Sequence, residues 1–183
     1  STSGSNILVY SLPTIVDGFG ASLSYSPQSG NDSTTSAASS TAYAISYTGV
    51  EGLTVNYGVG EQEASSTAQG DTTSMSASYA YGSFTVGYSE NDYQTETSGE
   101  DQETTSWKLS YTVSDAISVS YGEDTITEEG DATDAEYSRL TASYTSGGMT
   151  VTAKSAEMKN GAFDATSAAD DKDYWSLGLS FAF

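Results

Sequence analysis

Trp107-Lys-Leu-Ser-Tyr-Thr-Val-Ser-Asp-Ala-Ile-Ser-Val-Ser-Tyr121 decides the fold. Trp107, Leu109 and Tyr111 alternate with polar residues, as do Ile117, Val119 and Tyr121 after the break at Ser114–Ala116. Side chains of an extended chain point alternately to its two faces, so this pattern is that of two strands with one apolar face, joined by a short turn. The two tyrosines recur. One set lies at Tyr47, Tyr79, Tyr111 and Tyr144, with steps of 32, 32 and 33 residues, and a second at Tyr25, Tyr57, Tyr88 and Tyr121, with steps of 32, 31 and 33. The repeating unit is thus a hairpin carrying two aromatic marks.

Working outward, the alternation predicts eleven strands. Before the quoted pair come Ile7–Leu12, Phe19–Tyr25, Tyr43–Tyr47, Leu53–Val59, Met75–Tyr79 and Phe84–Tyr88; after it come Leu140–Tyr144, Met149–Ala153 and Trp175–Phe183. Short links at Pro13–Gly18, Thr48–Gly52, Tyr81–Ser83, Ser114–Ala116 and Ser146–Gly148 alternate with long polar ones at Pro27–Ser40, Gly60–Thr72, Glu90–Glu103, Glu123–Asp134 and Ser155–Asp173. Lipid offers the backbone no hydrogen-bond partners, so a sheet crosses a membrane only when closed on itself, with short turns on one side and long loops on the other. Aromatic rings with a polar tip favour the two membrane interfaces, which places the Tyr47 set at one interface and the Tyr25 set at the other. The expected fold is therefore all-β: a transmembrane antiparallel β-barrel, treated as one domain over residues 1–183.

Composition agrees. The 183 residues are 36% hydrophobic and carry a net charge of −20, a profile that a disordered chain shares. The 14 tyrosines and the regular apolar spacing argue for a folded barrel, which needs only one apolar face per strand. No stretch has the roughly 20 apolar residues of a membrane-crossing helix. With 5 basic against 25 acidic residues, nucleic acid is excluded as a partner. The chain has no Cys and no His, so the usual nucleophilic triads and zinc sites are excluded, and no enzyme activity is expected. The opening Ser-Thr-Ser-Gly-Ser reads as a mature product or a fragment, without a signal peptide.

The final residues, Tyr174-Trp-Ser-Leu-Gly-Leu-Ser-Phe-Ala-Phe183, resemble the terminal strand of outer-membrane proteins. There, alternating residues such as Trp175, Leu177, Leu179, Phe181 and Phe183 form the signal read by the barrel-assembly machinery. The stretch from Asn6 to Pro27 resembles the hairpin that follows the constriction loop of general Gram-negative porins. This resemblance implies the C-terminal portion of a 16-strand, trimeric barrel in the bacterial outer membrane. It implies that the N-terminal strands and the constriction loop are missing here. It also implies a water-filled channel for passive diffusion of small hydrophilic solutes and ions. The alternative reading is a structural or adhesive surface β-protein, or a membrane-anchoring barrel, to which the Ser/Thr-rich loops are suited.

Parity then selects the pore lining. With Trp107, Leu109, Leu140 and Ala153 facing lipid, Lys108, Arg139 and Lys154 face the lumen, a basic strip that can set a transverse field against acidic groups. Pairing Tyr144 with Met149 would put Arg139 directly opposite Lys154. Carboxylates crowd the long links: Glu90, Asp92, Glu96, Glu100, Asp101 and Glu103, then Glu123, Asp124, Glu128, Glu129, Asp131 and Asp134, then Asp164, Asp170, Asp171 and Asp173. They are expected to make a negative mouth that favours cations. No cofactor is called for, although oxygen ligands such as Asp92, Asp101 and Asp131 suit Ca²⁺ or Mg²⁺.

Overall fold

A computed structural model describes residues 7–13, 16–27, 39–63, 70–95, 101–163 and 171–182. The described residues form eleven strands: β1 (Leu8–Ser11), β2 (Phe19–Ser26), β3 (Ser39–Tyr47), β4 (Leu53–Glu63), β5 (Gly70–Tyr81) and β6 (Phe84–Thr95), then β7 (Gln102–Ser114), β8 (Ile117–Glu128), β9 (Ala135–Ser146), β10 (Met149–Lys159) and β11 (Lys172–Phe181). Each pairs antiparallel with its neighbour in sequence, in one sheet ordered β1 to β11. The sheet is not closed: β1 and β11 are its two edges.

The short links are tight because the chain supplies the residues they require. Tyr81 pairs with Phe84 across Gly82-Ser83, and Ser146 with Met149 across Gly147-Gly148. Gly82 and Gly147 both take φ of +58°, the positive value that the first position of a hairpin turn of the favoured twist demands. The ladder also continues around this rim. Each short link accepts one backbone bond from the next hairpin: Thr48 N donates to Gly18 O (2.7 Å), Ala80 N to Gly52 O (2.8 Å), and Thr112 N to Ser83 O (2.8 Å). Thr145 N donates to Ala116 O (2.8 Å) and Ala182 N to Gly148 O (2.7 Å).

The strands run further than alternation alone predicts at the opposite end. Glu90–Thr95, Gln102–Glu103, Glu123–Glu128 and Ser155–Lys159, expected in long loops, belong to β6, β7, β8 and β10. Above lipid the outer face need not be apolar, so the period-2 signal disappears while backbone pairing continues. β1 is shorter than expected, Leu8–Ser11 rather than Ile7–Leu12.

The sheet has no interior. Among the described residues only Ala135 and Gly70 are buried. Leu177 (68% exposed), Leu109 (45%), Val86 (48%) and Ile45 (52%) share one uncovered face, which an aqueous protein of this size would bury. Register supplies the strand tilt. The row perpendicular to the strands runs Tyr47, Val55, Ala77, Tyr88, Trp107, crossing β7 four residues beyond the belt tyrosine Tyr111. Four residues (about 14 Å) over four strand spacings (about 19 Å) is a tilt of about 35°. That lies in the range of transmembrane barrels.

Candidate functional site

Alternation divides the side chains cleanly. The apolar face carries both tyrosine sets. Tyr47, Tyr79, Tyr111 and Tyr144 lie beside the short turns, with Phe19 on Tyr47 and Phe84 on Tyr111 at 4.6 Å between ring centroids. Tyr25, Tyr57, Tyr88 and Tyr121 lie toward the long connections. Two of these are capped by carboxylates two residues on, on the same face. The Tyr88 hydroxyl donates to Glu90 Oε2 (3.1 Å), while Tyr121 donates to Glu123 Oε1 (2.5 Å) and Trp107 Nε1 to Glu123 Oε2 (3.1 Å). The sequence signal for this cap was the repeated Tyr-x-Glu of Tyr88–Glu90 and Tyr121–Glu123, which the loop assignment concealed. Trp175, Leu177, Leu179 and Phe181 occupy the same face of β11; Phe183 lies outside the described residues.

Two grooves lie on the opposite, polar face. The larger, of about 600 Å³, brings Lys108, Arg139 and Lys154 together with Asp124. The smaller, of about 430 Å³, is uncharged where Ala42, Ala44, Gly58 and Gly60 form its floor, with Tyr93 at its side. The three cations expected on the pore wall therefore do share one surface.

Their pairing differs from the sequence expectation. The two-residue turn at Gly147-Gly148 sets Met149 opposite Ser146, so Val151 faces Tyr144. Arg139 consequently lies opposite Ala156 and Lys154 opposite Thr141. The shift is two residues, which preserves the inward parity and removes the direct clash of like charges. Arg139 instead reaches Asp124 on β8, Nη2 to Oδ2 at 3.8 Å, with both side chains substantially exposed. Among the described residues Lys108 and Lys154 have no ion-pair partner.

Most strand carboxylates do not face this groove. Glu61, Asp71, Glu90, Asp92, Glu103 and Glu123 share the parity of the apolar face, above its aromatic belt, where Glu61 lies opposite Asp71 and Asp92 opposite Glu103. On β8 only Asp124 and Glu128 point to the polar side. The acidic band is thus largely on the sheet's outer surface, a placement that parity could have shown had the strands been extended far enough. Other acids hold the connections. The Asp101 carboxylate accepts from Thr95 N (2.7 Å), and its carbonyl accepts from Glu129 N (2.8 Å). Asn160 donates through its backbone N to Asp171 Oδ1 (3.0 Å) and through Nδ2 to Asp134 O (3.2 Å). Among the described residues no three carboxylates gather to hold a metal ion, so Asp92, Asp101 and Asp131 stand apart. Glu96, Glu100, Asp164 and Asp170 lie outside those residues.

A tilted antiparallel sheet with two aromatic belts on its apolar face and a charged groove on its polar face has the organisation of a transmembrane β-barrel wall. The profile of the Gram-negative porin family matches residues 1–145, and the chain belongs to that family. It therefore resides in the bacterial outer membrane. A comparison with curated proteins finds no match. Among solved structures, one similar to this chain is a porin refined at 1.8 Å resolution, with TM-score 0.74 and 18% identity, covering 97% of this chain and 61% of that one. Another is the anion-selective porin from Comamonas acidovorans, with TM-score 0.65 and 19% identity over 84% of this chain and 48% of that one. A third is OmpF of Salmonella typhi in complex with daunomycin, with TM-score 0.69 and 12% identity over 82% and 53%. The chain thus spans about half to three fifths of the length of these relatives.

Proposed function

We propose that this chain forms the greater part of the wall of a water-filled channel through which small hydrophilic solutes and ions diffuse passively. The observation that carries the reading is the two-faced sheet: an apolar face with no core to cover it, backed by a groove containing Lys108, Arg139 and Lys154. Closure to a 16-strand barrel assembled as a trimer is part of the proposal, supported by the tilt of about 35°. OmpT of Vibrio cholerae, an outer membrane protein of similar fold, is described in a trimer form. The basic groove supplies one pole of a transverse field. The net charge of −20, with Glu129, Asp131 and Asp134 on the β8–β9 connection, favours cations at the mouth, while the wall itself is locally basic.

The test is single-channel conductance of the native, detergent-extracted protein in a planar bilayer, with a salt gradient for the reversal potential. Ohmic steps, grouped in threes, are expected, with a cation-favouring potential. Correctly folded protein that gives no steps would end the channel reading. Steps with an anion-favouring potential would keep the channel and transfer selectivity from the mouth to the wall.

A further inference from the structure

We infer that the larger groove is a binding subsite for polyhydroxylated anions, such as sugar acids and sugar phosphates, an inference that rests on the channel reading and names a class of solute that its wall holds. Three adjacent rows of side chains make the case. The first is Ser76, Ser89, Ser106 and Asp124, each opposite the next across the sheet. The second is Ser78, Gly87, Lys108, Gly122 and Arg139. The third contains Ser120, Thr141 and Lys154.

The first row is a line of hydroxyls about 4.8 Å apart, the spacing of neighbouring strands, and it ends in a carboxylate. Asn56 Nδ2 donates to Ser76 Oγ at 3.2 Å, leaving that hydroxyl free to donate. Among the described residues the hydroxyls of Ser78, Ser89 and Ser106 make no hydrogen bond within the protein. Such groups, with Asp124 as a further acceptor, match a solute that carries several hydroxyls.

The second and third rows supply positive charge. Lys108 and Arg139 lie on either side of Gly122, two strand spacings apart at about 10 Å, and Lys154 lies on the diagonal from Arg139. Such a set fits one anionic group, held by charge-assisted bonds. Arg139 is only loosely engaged by Asp124, at 3.8 Å.

Within the second row a glycine stands on either side of Lys108. At Gly122 a Cβ would come within 2.8 Å of the Trp107 carbonyl, so the protein's own packing requires glycine there. Gly87 is different: a Cβ would meet only the Ala77 carbonyl, at 4.0 Å. Nothing in the fold forbids a side chain at that position, and glycine in a strand interior weakens it. Its effect is a bare floor between Lys108 and Ser78, beside Ser89 of the first row, where a solute ring can lie.

The experiment uses the native protein in planar bilayers and titrates three probes: glucose 6-phosphate, inorganic phosphate and glucose. Glucose 6-phosphate is expected to reduce the ionic current saturably, at a concentration about tenfold below that needed for either other probe. Lys108→Gln with Lys154→Gln removes this preference, Gly87→Leu removes it by filling the floor, and Lys159→Gln, on the other face, leaves it intact. Heat-modifiable gel migration confirms that each variant is folded. Equal potency of inorganic phosphate and glucose 6-phosphate would overturn the inference, leaving a site for charge alone. So would ohmic steps that none of the probes alters, a result that leaves the channel standing. Loss of all steps in folded protein removes the channel and the subsite together.

Discussion

Lys108, Arg139 and Lys154 are three of only five basic residues, yet all three project into one groove. Their effect on passing ions can be bounded. A unit charge acts on an ion about 7 Å away through water with about 0.6 kcal/mol, a factor of about three in local concentration. Lys108→Gln is therefore expected to lower the anion-to-cation permeability ratio by up to about sevenfold, because it removes attraction for anions and repulsion of cations together, read from the reversal potential in a salt gradient. Its ammonium has no ion-pair partner among the described residues, so the change removes a free charge and not a structural link. An unchanged ratio would mean that ions pass beyond the reach of this wall. Arg139 differs in having Asp124 as a neighbour, a pairing between β9 and β8 that the sequence could not locate.

At the scale of the strand, β7 keeps its two faces in different solvents. Leu109 lies on the lipid side and Ser110 on the wet side, adjacent in sequence. A cation on the lipid face of a barrel costs about 2–4 kcal/mol near the membrane midplane, whereas the lumen tolerates it. Leu109→Lys should thus destabilise the barrel by about that amount, and Ser110→Lys by well under half of it. Urea unfolding in lipid vesicles measures the difference. Equal costs would mean that the parity assigned to β7, and with it the orientation of Lys108, is wrong. The same alternation explains the carboxylates: Glu90 and Glu123 are strand residues that cap the outer aromatic belt, and only the paired register makes that visible.

For the whole molecule the charge is divided by place. Negative charge is concentrated beyond the aromatic belt and in the long connections, and three of the five basic residues gather in the groove of the polar face. From Glu103 to Lys108 is five residues along β7, about 17 Å. The Debye length is about 10 Å at 0.1 M salt and about 3 Å at 1 M, so the mouth and the wall are partly coupled in dilute salt and independent in concentrated salt. Ion selectivity should fall toward that of free solution between 0.1 M and 1 M KCl. The preference for glucose 6-phosphate, which depends on direct contact, should weaken less. Selectivity that stays constant over that range would place its origin in a narrow contact site and not in the mouth's field.

The amino-acid sequence by itself determined the strand count, the orientation of nearly every strand residue and the two aromatic levels. These follow from period 2 and from the lengths of the links, both local properties of the chain. Parity survives even where register does not, which is why Arg139 and Lys154 share the polar face although their partners differ from those that apolar spacing predicts. Only the tertiary structure decided the register across Gly147-Gly148, since that rests on turn geometry and not on apolar spacing. It also decided where the strands end, because a ladder of backbone bonds leaves no mark in a polar stretch. The groove itself is a third such property: it joins Ser76, Lys108, Arg139 and Lys154 from four strands, and no local pattern carries information about which rows of a curved sheet align.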